Sequence, residues 1–123
     1  MQRANILVVD DEKDICKALS ILLSKEGYAV REAYNGEEAL ELLAKENFDL
    51  VMTDIKMEKK DGFEVLREAQ KISPGTPVIM MTAFASVGSA VEAMRAGAVD
   101  YIVKADTRIN TIVSRVKSKL GVK

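Results

Sequence analysis

Polar residues able to do chemistry follow four of the short apolar runs in this sequence. Asp10 and Asp11 follow the first run, and Asp54 follows the second. Thr82 follows the third run, and Lys104 follows the fourth. If the runs are strands of one parallel sheet, these side chains meet at the edge formed by the strands' carboxyl ends, where open α/β sheets bind ligands. The sequence therefore predicts a polar site at one edge of a sheet.

Three carboxylates at such an edge would repel one another, and one of them would tend to bind a proton. A divalent cation removes that conflict, and carboxylate oxygens are ligands that suit Mg²⁺. Lys104 supplies a further positive charge. A metal-bound carboxylate beside a lysine can act as a nucleophile toward phosphorus, and Thr82 could then hydrogen-bond a phosphoryl oxygen.

Each of these residues also has an ordinary structural explanation. Asp10 or Asp11 could cap the first helix, where acids favour the positive end of the helix dipole, and the others suit turn, strand or surface positions. Compatible chemistry at four of five strand ends favours a site over coincidence. Glu12 and Asp14 fall in the first turn of the predicted helix, and we expect helix-dipole and surface roles for them.

Short apolar runs alternate with longer amphipathic stretches and so predict five β-α units. The runs 6–9, 50–52, 78–81 and 101–103 are continuously apolar, as in strands that helices cover on both faces. The segment 29–34 is more polar and suits an edge strand. Short connections between these elements imply an α/β fold, a parallel sheet with helices on both faces.

The helices are predicted from apolar residues spaced along one helical face. Gly27, Ser73-Pro74-Gly75 and Gly97 are expected to end the first, third and fourth helices, and Ser86 is expected to cap the fourth. The stripes of the third and fourth helices place seven apolar residues against the core: Phe63, Leu66, Ala69, Ile72, Ala90, Val91 and Met94.

Composition narrows the class of protein. The 123 residues suit one domain, and 18 basic against 19 acidic residues leave a net charge of −1, so overall charge predicts no affinity for nucleic acid or membranes. The one cysteine, Cys16, excludes an internal disulfide and is expected to pack in the core. The absence of histidine excludes imidazole chemistry.

No signal peptide or membrane-spanning run is recognised, and we expect a cytoplasmic protein.

The pattern as a whole resembles the receiver domain of two-component response regulators. The resemblance runs from residue 6 to about 120 and rests on "VVDDE", on "DLVMTDIKM" followed by "DG", and on "VIMMTAFAS" and "EAMRAGAVDYIVK" with their spacing. It is greatest to receivers of nitrogen-regulatory transcription activators. It implies a flavodoxin-like, doubly wound sheet of five parallel strands in the order 2-1-3-4-5 with five helices, filling residues 1–123 as a single receiver domain without an output domain.

The resemblance implies a role for each residue of the predicted site. Asp54 would be the phosphoacceptor, and Lys104 would pair first with Asp54 and then with the phosphate. Asp11 would bind Mg²⁺ directly and Asp10 largely through water, while the backbone carbonyl of Lys56 would complete the protein ligands.

Further residues would transmit the signal or tune its duration. Thr82 would be the switch hydroxyl, and Tyr101 the coupled aromatic that turns inward and reshapes the face of helix 4, strand 5 and helix 5; a half-buried strand aromatic is the alternative for Tyr101. Lys56 and Phe84, two residues after Asp54 and Thr82, would tune dephosphorylation.

Two positions depart from the family pattern. Glu58 stands where a proline is common, four residues after Asp54, and Ala105 stands where a proline usually follows the lysine through a cis bond. A cis bond before alanine costs about 2.5–4 kcal/mol, against about 0.5–1 before proline. We therefore expect a trans Lys104–Ala105 bond, a rerouted loop before the fifth helix, and a Lys104 that sits less firmly on Asp54.

The resemblance implies a phosphorylation-operated switch that a histidine kinase phosphorylates and that alters binding to an unidentified downstream partner. The transfer would be self-catalysed, without turnover of a separate substrate, and we expect a monomer, with phosphorylation-dependent dimerisation as the alternative. A phosphate-independent docking module of receiver type is the competing function. A magnesium-dependent phosphatase is disfavoured because Lys56 stands where that class needs a second acid, and a flavin carrier because two aspartates replace a phosphate-binding loop.

Overall fold

A computed structural model describes residues 3–57, 59–83 and 86–120. Within these residues one sheet is built from five strands, β1 (Asn5–Val9), β2 (Ala29–Ala33), β3 (Leu50–Asp54), β4 (Val78–Thr82) and β5 (Asp100–Val103). All pairs are parallel and the order is β2-β1-β3-β4-β5. The predicted α/β class, the strand order and the edge position of the second strand are confirmed.

Five α-helices of the described chain connect and follow these strands: α1 (Lys13–Lys25), α2 (Gly36–Lys45), α3 (Gly62–Ile72), α4 (Val87–Arg95) and α5 (Ile109–Lys119). Helices α1 and α5 pack on one face of the sheet, and α2, α3 and α4 pack on the other. The sheet is therefore covered on both faces. Among the described residues no helix is long and apolar enough to cross a membrane.

Alternating side chains of each central strand enter opposite cores. In β1, Ile6 and Val8 pack with α1 and α5, whereas Leu7 and Val9 pack with the helices of the other face. Every residue of β3 and β4 is buried. This double coverage is the reason for the continuous apolar runs, because a strand buried on both faces has no solvent side for polar residues.

The helix ends follow the expected local signals. Gly27 and Gly97 adopt φ values of +96° and +107° just after α1 and α4, a left-handed conformation that favours glycine at a helix C-terminus. The Ser86 hydroxyl accepts the backbone N–H of Ser89 at 3.0 Å and so caps α4 as predicted. Cys16 is buried and free, as expected for a packing role.

Three expected core residues are exposed instead. On α4, Val91 is 43% and Met94 50% exposed, while Ala93 is the one residue of this nine-residue helix that is buried. The apolar stripe of α4 is thus wider than the strip that meets the sheet. Ile72 is exposed because it is the last residue of α3 and no further helical turn covers it.

Glycine is required where α3 starts against the end of β3. The Gly62 N–H donates to the Ile55 carbonyl at 2.8 Å, which brings the helix start beside the main chain of Asp54. A Cβ at position 62 would lie 2.2 Å from the Asp54 carbonyl oxygen. The close approach ties the residue at the predicted site to the first turn of α3.

Gly62→Ala is expected to destabilise the fold by about 1–3 kcal/mol, because the added methyl group meets backbone that cannot move without shifting β3 or α3. Urea unfolding followed by circular dichroism measures the change. Gly75→Ala is the matched control, since nothing lies within 4 Å of a Cβ there. Equal unfolding free energies for the two variants would contradict the assignment.

Candidate functional site

Three carboxylates meet at the carboxyl edge of the sheet. Asp54 is the last residue of β3, Asp10 directly follows β1, and both are buried, whereas Asp11 is exposed. One oxygen from each lies within 4.8 Å of the other two. The structure therefore brings together the three acids that the sequence predicted to share a site.

Lys104 reaches this cluster from the edge strand β5. It follows β5, yet its ammonium nitrogen lies 2.8 Å from Asp10 Oδ2 and 3.1 Å from Asp54 Oδ2. The side chain is itself almost fully buried. Its charge compensates buried carboxylates that would otherwise be strongly destabilising.

Glu12 is exposed at the start of α1, as predicted, but it is also part of the site, which the sequence did not predict. Glu12 is the N-cap residue of α1 but its side chain caps nothing; instead its Oε1 accepts a hydrogen bond from Lys104 Nζ at 2.8 Å. Neither Asp10 nor Asp11 takes the N-cap position. The contact joins residues 92 positions apart, so no local pattern could have revealed it.

The two oxygens of Asp10 are both engaged. Oδ1 accepts the backbone N–H of Glu12 at 2.9 Å, and Oδ2 accepts from Lys104. Asp11, by contrast, is exposed. Carboxylate oxygens are the donor type that Mg²⁺ prefers, and the cluster fits such an ion with Asp11 and Asp54 as the more accessible donors.

The charges of the site alter its protonation equilibria. Burial raises the pKa of Asp54 to about 6, and the neighbouring charge of Asp10 adds to this, although Lys104 opposes the shift. Burial alone would lower the pKa of Lys104, but its hydrogen bonds to Asp10 and Glu12 outweigh that effect and raise it. Lys104 is thus held in its charged form.

The peptide bond between Lys104 and Ala105 is trans, as predicted, since none of the described residues follows a cis bond. The chain continues from β5 into one turn of 3₁₀ helix over Lys104–Asp106 before α5 begins. Lys104 lies nearer to Asp10 and Glu12 than to Asp54.

The remaining predicted residues are distributed around this edge. Thr82 is the buried last residue of β4, the strand that pairs with β3. Lys56 lies in the loop after β3 and its side chain is exposed. Phe84 and Glu58 lie outside the described residues.

Tyr101 is half-buried in β5 and packs against the core on the α2–α4 face of the sheet. Its hydroxyl shares a hydrogen bond of 2.6 Å with the hydroxyl of Ser89 on α4. On the other side of β5, Arg115 of α5 pairs with the Asp100 carboxylate and donates to the Tyr101 carbonyl. Polar contacts therefore connect α4, β5 and α5.

The raised pKa of Asp54 predicts that this residue destabilises the metal-free protein at neutral pH. A folded-state pKa of about 6 against 3.8 in the unfolded chain means that stability falls as the pH rises from about 4 through 6. Asp54→Asn is therefore expected to unfold with about 1–3 kcal/mol more free energy than the parent at pH 7 and to lose most of that advantage below pH 4.

Chemical denaturation in EDTA at several pH values measures this difference. Asp14→Asn is the control, because Asp14 is exposed on the first turn of α1. A stability gain for Asp54→Asn that is the same at every pH would contradict the prediction.

Comparison with known proteins agrees with this arrangement. The model of the response regulator receiver domain family matches residues 6–117. The transcriptional regulatory protein ZraR of Klebsiella oxytoca is 47% identical over 103 residues, which cover 84% of this chain and 23% of that protein. The chain thus spans about a quarter of the length of this relative, whose description confirms the predicted similarity to receivers of transcription activators.

Solved structures give the same result. A CheY-like response regulator receiver domain protein from Methanospirillum hungatei JF-1 superposes with a TM-score of 0.91 at 35% identity, covering 98% of this chain and 95% of the other. A response regulator from Burkholderia pseudomallei, described with a phosphorylated aspartic acid, calcium ion and citrate, has a TM-score of 0.81 at 29% identity and covers 94% and 72%. This chain belongs to the response regulator receiver domain family of two-component signalling proteins.

Proposed function

We propose that this chain is a phosphorylation-operated switch that accepts a phosphoryl group on Asp54. The observation that carries the proposal is the placement of Asp54 at the end of β3, buried, 3.1 Å from Lys104 Nζ and grouped with Asp10 and Asp11. Phosphoryl transfer needs positioning and charge neutralisation above all, and these four side chains supply both.

The donor in this proposal is the phosphohistidine of a histidine kinase. The phosphorus–nitrogen bond breaks and its electron pair returns to the imidazole, while an oxygen of Asp54 forms the new bond to phosphorus. The ionised carboxylate is the nucleophile, and the ammonium of Lys104 is placed to neutralise charge on the transferred group. The protein is both catalyst and acceptor, so no separate substrate turns over.

Receiver domains generally bind Mg²⁺ at an acidic pocket, and we propose the same here. Asp11 would be a direct ligand, Asp10 would act largely through water because both its oxygens are engaged, and Asp54 and the Lys56 carbonyl would complete the protein ligands. The ion would neutralise the acidic cluster and the incoming phosphoryl oxygens. The Burkholderia response regulator, described with a phosphorylated aspartic acid and a calcium ion, supports this proposal.

The response would pass from the site to the face formed by α4, β5 and α5. Thr82 would hydrogen-bond the phosphoryl group and Tyr101 would change orientation, which requires its bond to Ser89 to break. The exposed Val91 and Met94 give α4 an apolar surface on this face. Phosphorylation acts by shifting an equilibrium between two arrangements of these elements.

We place this switch in the cytoplasm as a single receiver domain, with a histidine kinase upstream and an unidentified protein or output domain downstream. The unphosphorylated form would be a monomer, and the alternative is a dimer that forms through the α4–β5–α5 face on phosphorylation. Phe84 and Lys56 would set how long the phosphorylated state lasts.

Incubation with Mg²⁺ and acetyl phosphate is expected to add the mass of one phosphoryl group to the intact protein, and Asp54→Ala is expected to abolish the addition. Asp14→Ala, at an exposed acid on α1, is the control and should label like the parent. Absence of labelling together with absence of Mg²⁺ binding would favour the docking module instead.

Mg²⁺ is expected to raise the melting temperature of the unphosphorylated protein, because the ion relieves repulsion among carboxylates in the folded state alone. Asp11→Asn removes an accessible donor and should lose most of this increase. Calorimetry with and without Mg²⁺ measures it, with Asp14→Asn as the charge-matched control. An undiminished shift in Asp11→Asn would exclude Asp11 as a ligand.

A further inference from the structure

The ammonium group of Lys104 uses all of its hydrogen-bonding capacity in the described structure. It has three N–H groups, and they are directed to three carboxylates: Asp10 and Glu12 at 2.8 Å and Asp54 at 3.1 Å. Phosphorylation of Asp54 turns its carboxylate into an acyl phosphate, so the N–H that faces Asp54 passes to the phosphoryl oxygens. The bonds to Asp10 and Glu12 then oppose any movement of the ammonium toward the phosphoryl group.

The two carboxylates that remain ionised, Asp10 and Glu12, differ in what they lose when the ammonium moves toward the phosphoryl group. The side chain of Asp10 is 0% exposed, so water cannot readily replace the lost hydrogen bond. Glu12 is 56% exposed, and water can solvate its carboxylate at once. Of these two, Glu12 is therefore the partner that gives up Lys104 at the lower free energy.

We propose that Glu12 is a positioning residue that holds Lys104 in the unphosphorylated protein and releases it to the phosphoryl group. This inference rests on the proposed function. Glu12 stabilises the unphosphorylated state, because its ion pair with Lys104 is present there and is broken when the ammonium turns to phosphate. Removal of its charge shifts the equilibrium toward the phosphorylated arrangement.

The main chain of Glu12 is held independently of its side chain. Its N–H donates to Asp10 Oδ1, and its carbonyl accepts from the N–H groups of Ile15 and Cys16 at the start of α1. Glu12→Gln therefore changes the contact to Lys104 without removing a helix cap, since the side chain makes no cap hydrogen bond.

The test is a titration with beryllofluoride, a tetrahedral mimic of the phosphoryl group, at saturating Mg²⁺ and followed by NMR. Glu12→Gln is expected to bind it about two- to fivefold more tightly than the parent, the range expected for loss of one exposed ion pair. Asp14→Asn makes the same change in net charge on an exposed residue of α1 and should leave the affinity unchanged. Unchanged or weaker binding by Glu12→Gln would overturn the proposal.

A double-mutant cycle shows whether the effect passes through Lys104. In a Lys104→Met background, Glu12→Gln should have no further effect; an effect that persists would assign it to bulk charge and overturn the proposal. If Lys104→Met binds no beryllofluoride, NMR relaxation of the Lys104 ε-methylene group in the metal-free protein tests whether Glu12 restrains Lys104. Glu12→Gln should increase its mobility and Asp14→Asn should not, and equal mobility would overturn the proposal. Failure of the parent to bind beryllofluoride would instead refute the proposed function.

Discussion

The charge balance around a single ammonium group governs the carboxyl edge of this sheet. Lys104 lies among three acids, one directly after β1, one at the end of β3 and one at the start of α1, and the first two are buried. A buried carboxylate without a partner is strongly destabilising, so the edge depends on a residue that follows the last strand. Because β5 and β1 are separated by β3 and β4, the ion pair from Lys104 to Asp10 bridges four of the five strands.

Backbone hydrogen bonds keep the acids of this edge in place. The Asp10 N–H donates to the Ala33 carbonyl, the Ile55 N–H to the Met81 carbonyl, and the Gly62 N–H to the Ile55 carbonyl. These bonds extend the sheet pairing one residue beyond β1 and β3 and return the chain to α3. The acids are therefore held in place without any ligand, as the proposed phosphoryl transfer by positioning and electrostatics would require.

Much of this arrangement could be predicted from the sequence, because continuous apolar runs, turn residues and strand-end acids are local signals of a parallel α/β sheet. The partnership of Glu12 with Lys104 could not be predicted, since it depends on how far a long side chain reaches across four strands. The exposure of Val91 and Met94 could not be predicted either, because periodicity identifies an apolar stripe but not the width of the sheet surface that covers it.

Helix α4 is anchored differently from its neighbours. Ala93 is its one buried residue, whereas α1 and α5 each bury three residues and α3 buries four. Burial of a single alanine removes little apolar area from water. Separating α4 from the sheet therefore costs less hydrophobic free energy than separating α1, α3 or α5. We therefore expect α4 to be displaced from the sheet more readily than α1, α3 or α5.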